Sequence, residues 1–299
     1  MAIDAATTVA VTGGNGTLGS AVLAHLAEAG YRTVNLSRGS RREETADAYR
    51  RVDLLDAGQV YAALAESDAD AVVHLGSVPT PTEDPGHVVF ESNVVSAYHV
   101  LEAAGALGLE SATLASSMSA LGAGFEEKPV EVDALPVDES HRLSPSNPYG
   151  LGKQTVEVVA DGFARRESAP GKIASLRFPW VTSDADCRET FVEADRSLDG
   201  LRESTHHHTA HNTLFAYVHV DDAVRLVRRC VEADFAGHER FWLSAPDTSV
   251  EAESERVVAE EYPAATLRRE LEGYEALVDT AKAEELLGWE AKKSWRDLR

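Results

Sequence analysis

A tyrosine and a lysine stand four residues apart in the segment "SNPYGLGKQTVE", residues 146–157. The turn-forming residues before them predict that a helix begins here, which would place Tyr149 and Lys153 one turn apart on the same face. A tyrosine hydroxyl, with an ordinary pKa of about 10, is a weak base at neutral pH, and a nearby ammonium would favour its phenolate form. The pair could therefore transfer a proton, although ordinary helices also carry a tyrosine and a lysine at this spacing.

A second candidate site is the segment "TGGNGTLG", in which Gly13, Gly16 and Gly19 have the spacing G-x-x-G-x-x-G. It lies between a predicted strand, residues 7–12, and a predicted helix. In this context glycines permit a tight turn, close approach of the backbone to a pyrophosphate and close packing of the helix. The segment therefore predicts a dinucleotide site, and the alternative is a plain glycine-rich turn.

The elements that would position these residues form a parallel sheet covered by helices. Short β-branched runs alternate with helical patterns through the first half of the chain, as is typical of α/β proteins. We therefore predict a Rossmann-type doubly wound parallel sheet with a small C-terminal substrate-binding lobe. The predicted strands are residues 7–12, 32–37, 49–54, 70–75, 111–116, 172–178, 215–220 and 240–245. The predicted helices include residues 17–29, residues 87–108 and the helix that carries Tyr149.

The smaller lobe is predicted from the place where this alternation stops. After Pro179 the chain has weak periodicity and few large apolar residues, so this part is expected to face a substrate. A strand and a helix then return. The predicted Rossmann domain comprises residues 1–180 and 214–240, and the predicted smaller lobe comprises residues 181–213 and 241–299.

The charge of the chain excludes some partners. Fifty acidic and 28 basic residues give the 299-residue chain a formal net charge of -22. A field of this sign repels phosphate backbones and anionic lipids, so neither a nucleic-acid nor a membrane partner is expected. Scarce lysine and abundant acid resemble the composition of halophile proteins, whose acidic surfaces stay soluble because salt screens their repulsion. The acidic runs could instead be ordinary solvated helix faces.

The sequence also bears on location. No stretch approaches the roughly 20 uninterrupted apolar residues of a membrane span. The first residues lack the basic and apolar regions of an export signal. A cytoplasmic protein is therefore expected.

Metal binding and disulfide formation are not expected. Cys187 and Cys230 are too few for a disulfide framework or a four-ligand zinc site. A histidine cluster invites a metal hypothesis, but it lies in a predicted loop with no acidic or cysteine ligand in a defined pattern. We interpret that loop as solvated or substrate-facing. Its histidines are His206, His207, His208 and His211.

Seven short motifs occur in a familiar order along the chain: "TGGNGTLG", "VVHLGS", "LASSMSALG", "PYGLGK", "LRFP", "YVHVDDA" and "LGW". In order and spacing the sequence resembles the extended short-chain dehydrogenase/reductases, the NAD-dependent epimerase/dehydratase family. The resemblance runs from about residue 8 to residue 297. It is specific for the fold and the cofactor class and much less specific for the substrate.

The resemblance implies roles for the tyrosine and lysine. Tyr149 would take the proton from a substrate hydroxyl as hydride leaves its carbon for the nicotinamide, or return it in the reduction. Lys153 would support the phenolate and also reach the nicotinamide ribose. Ser117 would hold the same substrate oxygen, with Ser116 and Ser119 as nearby alternatives.

The resemblance also implies which nicotinamide cofactor is bound. NAD users of this family generally place an acidic residue at the end of the second strand, where this chain has Ser37 and Arg38. The change favours NADP over NAD, because an arginine can clamp a 2′-phosphate. Arg38 could instead stack on adenine or face solvent, which leaves NAD open. Asn93 matches a residue that supports the lysine, or is an ordinary polar residue of a helix surface. The predicted cofactor residues are Gly13, Gly16, Thr17, Leu18, Gly19, Ser37, Arg38, Asp53, Leu54, Leu75, Gly76, Asn93, Tyr149, Lys153 and Pro179.

The substrate is predicted to be a small sugar-type molecule, held by Ser77, Ser117 and Ser119, although Ser77 could be only a loop cap. Epimerases of nucleotide sugars usually carry an arginine shortly before the "HVDD" segment, and residues 203–224 contain none. A dehydrogenase of a sugar, sugar acid or similar polyol is therefore favoured over a nucleotide-sugar epimerase or dehydratase. A non-catalytic cofactor sensor is a third hypothesis. The family habit predicts a homodimer.

Overall fold

Parallel strands form the central sheet of the computed structural model, which describes residues 7–168 and 170–299. The first six residues, part of the start on which the expected absence of an export signal rests, lie outside the described part. The strands are β1 (Thr8–Thr12), β2 (Arg32–Ser37), β3 (Ala48–Arg51), β4 (Ala71–His74), β5 (Ser111–Ser117), β6 (Ala134–Leu135), β7 (Lys172–Phe178), β8 (Trp180–Thr182), β9 (Tyr217–His219), β10 (Gly237–Trp242) and β11 (Thr266–Leu267).

Helices cover both faces of this sheet. Buried side chains of α2, α3 and α4 share one core with the sheet, and those of α1, α8 and α10 share another. The helices are α1 (Thr17–Glu28), α2 (Ala57–Ala65), α3 (Gly86–Leu107), α4 (Pro148–Ala164), α5 (Asp184–Cys187), α6 (Leu198–Glu203), α7 (His207–Asn212), α8 (Val220–Glu232), α9 (Ser254–Glu261) and α10 (Ala281–Leu287), with 3₁₀ turns at Met118–Leu121 and Trp295–Leu298 and a π-helical turn at Arg188–Val192.

The order of the strands places a crevice beside β1. The seven-stranded sheet has the order β10-β7-β5-β4-β1-β2-β3, and its pairs are parallel. The chain runs outward from β1 through β2 to β3 and then returns to β4 on the other side of β1. Ligands of doubly wound folds bind in the crevice where the strand order reverses, at the carboxyl ends of the strands. The predicted doubly wound parallel sheet is confirmed.

Burial explains which strands the sequence predicts well. β1, β4 and β7 are buried along their whole length. β1 and β4 are accordingly encoded as nearly continuous runs of small and apolar residues, whereas β7 also carries Lys172 and Arg177. The edge strand β3 is only partly buried and reads "AYRR", and it lies earlier than the predicted strand at 49–54. The helix α2 was not among the predicted helices. The Asp56 side chain caps it by accepting a hydrogen bond from the Gln59 backbone N–H.

The second half of the chain contains more regular structure than its weak periodicity suggests. The segment 181–213 folds into short helical turns. β10 pairs with β7 in the main sheet from Gly237 to Trp242, so the predicted domain boundary at residue 240 falls inside a strand. The division into two lobes stays a prediction, as does the homodimer. No helix within the described ranges has the length and apolar character to cross a membrane.

Candidate active site

A cavity of about 1350 Å³ opens at the carboxyl ends of β1, β4 and β5. It brings together both groups of residues that the sequence singles out, because parallel strands end at the same edge of the sheet. Of the predicted residues, Asn93 does not line it. Those that do are Gly13, Gly16, Thr17, Leu18, Gly19, Ser37, Arg38, Asp53, Leu54, Leu75, Gly76, Ser77, Ser117, Ser119, Tyr149, Lys153 and Pro179.

The glycine loop brings the ends of β1 and β4 close together. Gly13 has a φ of +72°, and a β-carbon added there would lie 2.8 Å from the Gly76 Cα. A β-carbon added at Gly19 would collide with the Gly13 carbonyl oxygen. Gly16 donates its backbone N–H to the Gly13 carbonyl at 2.9 Å and stands at the N-terminus of α1, whose first turn carries no acidic side chain. The loop therefore requires glycine and leaves backbone N–H groups at the positive end of a helix.

Two loop residues that sequence reasoning missed shape the end of the cavity near β2. Asn15 donates through Nδ2 to the Ser40 carbonyl at 3.0 Å, and its Oδ1 accepts the Arg42 backbone N–H at 3.0 Å. These bonds tie the glycine loop to the segment after β2, and Arg42 lines the cavity together with Arg38. The run "SRGSRR" at residues 37–42 was the available signal. This end of the cavity thus carries two guanidinium groups.

Lys153 and Tyr149 are both buried in the middle of the cavity wall. The Lys153 ammonium donates to the Ala115 carbonyl at 2.7 Å and to the Ser77 hydroxyl at 3.4 Å, and it lies 5.5 Å from the centroid of the Tyr149 ring. Burial lowers the pKa of Lys153 to about 8. Proton exchange at this amine therefore falls near neutral pH.

The electrostatics of Tyr149 differ from the simple expectation that an ammonium stabilises its phenolate. Burial has the largest effect and raises the pKa of Tyr149, while a hydrogen bond with the Ser117 side chain lowers it. The protein by itself therefore keeps Tyr149 as a neutral phenol at neutral pH. Its ring is held by an edge-to-face contact with Phe125, with 5.6 Å between the centroids.

The start of α4 is locked by a carboxylate that sequence reasoning did not single out. Glu126, buried beside the cavity, accepts the Ser146 backbone N–H at 2.7 Å and the Asn147 side-chain amide at 2.8 Å. Asn147 in turn caps α4 by accepting the Gly150 backbone N–H at 2.9 Å. These bonds set the position of Tyr149 two residues after the cap.

Of the three serines near the end of β5, which all line the cavity, Ser116 has its hydroxyl engaged by a carboxylate. Its hydroxyl donates to Glu157 Oε1 at 2.7 Å. Glu157 also accepts two hydrogen bonds from the buried Arg177, at 2.9 and 2.8 Å. Burial acts to raise the pKa of Glu157, but the Arg177 hydrogen bonds and charge outweigh it and hold that pKa below its usual value. Ser117 is the serine whose side chain lowers the pKa of Tyr149.

Asn93 has a different neighbour from the one expected. It is buried, accepts the Val78 backbone N–H at 2.8 Å and donates to the Val78 carbonyl at 3.2 Å. It therefore fixes the loop that carries Ser77. Since the Ser77 hydroxyl accepts a hydrogen bond from Lys153, Asn93 supports the lysine through this loop.

Three of the four histidines of the cluster have side-chain partners in the protein. His207 pairs with the Glu261 carboxylate at 2.9 Å, and His211 bonds the Glu261 carbonyl at 3.1 Å. His208 bonds the Glu126 carbonyl at 2.9 Å and lines the cavity with His206. Within residues 7–168 and 170–299 no group of three or more His, Cys, Asp or Glu side chains could hold a metal ion.

The family is decided by a match over most of the chain. Residues 9–243 match the model of the "NAD dependent epimerase/dehydratase family". The chain belongs to the NAD-dependent epimerase/dehydratase family. The predicted family is confirmed. The glycine loop at the end of β1 agrees with the dependence of this family on NAD.

The curated relatives of this family member include UDP-glucose 4-epimerases. A "UDP-glucose 4-epimerase" from Rhizobium leguminosarum bv. trifolii is 32% identical over 161 residues, which cover 52% of this chain and 46% of that protein. A "UDP-glucose 4-epimerase 2" from Oryza sativa subsp. japonica is 29% identical over 187 residues, covering 57% of this chain and 44% of that protein. The chain thus spans about half the length of the curated relatives it matches.

Solved structures of two differently named enzymes share the fold of this family member. A UDP-glucose 4-epimerase with UDP-glucose from Thermotoga maritima has a TM-score of 0.71 at 21% identity, with 98% of this chain and 96% of that chain covered. A uronate dehydrogenase from Agrobacterium tumefaciens has a TM-score of 0.66 at 19% identity, with 99% and 88% covered. At these identities the likeness establishes the fold.

Proposed function

We propose that this protein is an NAD(P)-dependent oxidoreductase that moves a hydride between the nicotinamide and a carbinol carbon of a sugar, sugar acid or similar polyol. One observation carries the proposal: Ser117, Tyr149 and Lys153 line the same cavity as the glycine loop. A cofactor held by that loop and a substrate held by those side chains would share one enclosed space.

The residues present fit a dinucleotide. The glycine loop is packed without β-carbons at Gly13 and Gly19. The first turn of α1, which follows the loop, offers N–H groups that lack partners within the helix and can bind a pyrophosphate. Leu54 and Leu75 add apolar surface to the same wall. When bound, the nicotinamide supplies a hydride donor or acceptor.

The side chains would handle the proton that accompanies hydride transfer. The Tyr149 hydroxyl gives its proton to the substrate oxygen in a reduction, and its phenolate takes the proton in an oxidation. Ser117 holds that oxygen by a hydrogen bond and so fixes the reacting carbon. Lys153, with a pKa of about 8, places a positive charge near the phenolate and lowers the cost of forming it.

A nucleotide-sugar epimerase is the second candidate, favoured by the name of the curated relatives. It would return the cofactor to its starting state in each cycle, whereas a dehydrogenase accumulates reduced cofactor. We would incubate the protein with NAD or NADP and a panel of sugars, sugar acids and UDP-sugars, and follow both the absorbance of reduced nicotinamide and the sugar products. Net reduction with a free sugar or sugar acid supports the proposal. Interconversion of UDP-sugars without net reduction contradicts it.

A non-catalytic cofactor sensor is disfavoured, because this chain retains both Tyr149 and Lys153 in the cavity. The same panel tests it. Tight cofactor binding with no turnover of any member, reduced or interconverted, would favour the sensor.

We also propose that NADP is preferred over NAD. Ser37, Arg38 and Arg42 line the β2 end of the cavity, and guanidinium groups bind phosphate in bidentate geometry. The double variant Arg38→Ala/Arg42→Ala should lose at least about tenfold in affinity for NADP, the loss of one charged hydrogen bond or more, while NAD affinity changes little. Fluorescence titration of both cofactors measures this. Tighter binding of NAD than NADP by the unaltered protein would rule the preference out.

The cytoplasmic location remains a prediction from the sequence, and we propose a salt-adapted protein on the basis of its net charge of -22. Salt shortens the Debye length from about 30 Å at 0.01 M to about 3 Å at 1 M, which suppresses repulsion among surface carboxylates. The melting temperature should therefore rise steadily with KCl up to molar concentration. A melting temperature that is the same at low and molar KCl would show that the acidic surface is an ordinary one.

A further inference from the structure

One buried arginine of the cavity has no acidic partner in the described part of the chain. Arg196 follows the π-helical turn, is only 5% exposed and lines the cavity. Its Nε donates to the Ser249 carbonyl at 2.7 Å and its Nη2 donates to the Ser249 hydroxyl at 3.1 Å. Within the described ranges no carboxylate lies within 4.0 Å of its guanidinium, and its Nη1 has no hydrogen-bond partner. The group is thus held in place on one edge and left without a counter-charge.

This arrangement is costly for the protein alone. Burial lowers the pKa of Arg196 to about 10, so the side chain is still cationic at neutral pH. A buried charge destabilises the fold unless it is paired. Arg177, another buried arginine, has the Glu157 carboxylate as its partner. The corresponding anion for Arg196 is absent from the described part of the chain, and its edge on the cavity is open to a ligand.

The surroundings of Arg196 mark it as part of the substrate half of the cavity. Its guanidinium lies 5.0 Å from the centroid of the Phe191 ring, which packs edge-to-face on Trp180 at 5.6 Å. These rings come from the segment after β7, whereas the glycine loop and Arg38 lie at the other end. Phe191 is itself buried, but Trp180 is 45% exposed, so a sugar ring with an anionic substituent would pack on Trp180 and reach Arg196.

The number of arginines in this part of the cavity indicates whether the anionic group of the substrate is a carboxylate or a diphosphate. Among the described lining residues, Arg196 is the one arginine away from the β2 end. The segment before β9, where nucleotide-sugar epimerases usually place an arginine for the diphosphate, contains none from residue 203 to residue 224. A single guanidinium matches one carboxylate in charge and in bidentate geometry. A diphosphate would need further cations.

We infer that Arg196 binds the carboxylate of the substrate, and that the substrate is therefore a sugar acid. The inference rests on the proposed function and narrows its substrate class. A neutral sugar of the same shape would leave the buried guanidinium unpaired, so the site would reject it strongly. Arg196 is thus a specificity-determining residue that acts from the segment 181–213.

The variant Arg196→Gln tests this assignment against a matched control. It should lower kcat/KM for a uronic acid at least about 30-fold, the loss expected when one partner of a buried charge pair is removed. Its kcat/KM for the neutral sugar with CH₂OH in place of the carboxylate should change less than about threefold. Arg188→Gln removes an exposed arginine of the same segment, which bonds the Leu298 carbonyl outside the cavity, and should leave both substrates unaffected. Equal losses for acid and neutral sugar in Arg196→Gln would overturn the assignment.

Direct binding separates this inference from the proposed reaction. Calorimetric titration of the unaltered protein with its cofactor should show a uronic acid bound much more tightly than the neutral sugar, whether or not turnover occurs. If Arg196→Gln does not fold, Arg196→Lys takes its place in the test. It keeps the positive charge and should retain part of the affinity for the uronic acid. Binding of the acid without turnover would refute the proposed reaction and keep the carboxylate site. Binding of UDP-sugars but not of uronic acids would refute the carboxylate site.

Discussion

Tyr149→Phe should reduce turnover by roughly 10²-fold to 10⁴-fold, the effect typical of losing a general acid or base. The substitution removes the hydroxyl that exchanges a proton with the substrate oxygen. It keeps the ring, whose edge-to-face contact with Phe125 and burial in the cavity wall remain. Fold and cofactor affinity should therefore be nearly unchanged. Steady-state kinetics, thermal melts and cofactor titration measure the three quantities on the same preparation.

Tyr98→Phe is the matched control. Tyr98 lies on α3, and its hydroxyl donates to the exposed Glu102 at 3.3 Å, away from the cavity. Removing that hydroxyl should leave turnover unaltered. Undiminished turnover in Tyr149→Phe would mean that another group moves the proton and that the assigned site is wrong.

Glu157→Ala should lower the free energy of unfolding by about 3 to 5 kcal/mol, the cost of leaving a buried charge without its partner. Arg177 is 1% exposed and donates two hydrogen bonds to Glu157, and its Nη1 already lacks a partner. Ser116 would lose its acceptor as well. Urea denaturation at constant salt measures the change.

A surface carboxylate provides the comparison for this stability measurement. Glu66 pairs with Arg50 at 3.7 Å and its side chain is 67% exposed, so Glu66→Ala should change the free energy of unfolding by less than about 1 kcal/mol. Replacing both buried partners, as in Glu157→Leu/Arg177→Met, should cost less than Glu157→Ala alone, because no unpaired charge remains. A loss below about 1 kcal/mol in Glu157→Ala would show that Arg177 does not depend on this carboxylate.

The hydrogen bonds among Ser116, Glu157 and Arg177 also affect the positions of the candidate active-site residues. Ser116 and Ser117 are adjacent at the end of β5, and Lys153 and Glu157 are one turn apart on α4. The hydrogen bond from Ser116 to Glu157 therefore joins the two elements that carry Ser117 and Lys153. Some loss of turnover in Glu157→Ala is expected in addition to its loss of stability.

Sequence patterns determined the features of this protein that depend on neighbouring residues. The glycine loop can be recognised in the sequence because one short turn requires glycine twice, for the positive φ at Gly13 and for the close contact at Gly19. The proximity of Tyr149 and Lys153 can be predicted because residues four apart lie about one helical turn from each other. Strands β1 and β4 can be recognised because burial on both faces favours continuous small and apolar residues. Family resemblance then supplied the order in which these pieces assemble.

Tertiary structure alone decided which distant side chains share the cavity and what charge they meet there. Arg196 donates a hydrogen bond to Ser249, 53 residues later, and Glu126 accepts one from Ser146, 20 residues later. No periodicity encodes such pairs. The pKa of Tyr149 is raised by burial, a quantity that the spacing to Lys153 does not contain. Hydrophobic patterns report which face of an element is buried, whereas the partner of a single polar group is set by how whole elements pack against one another.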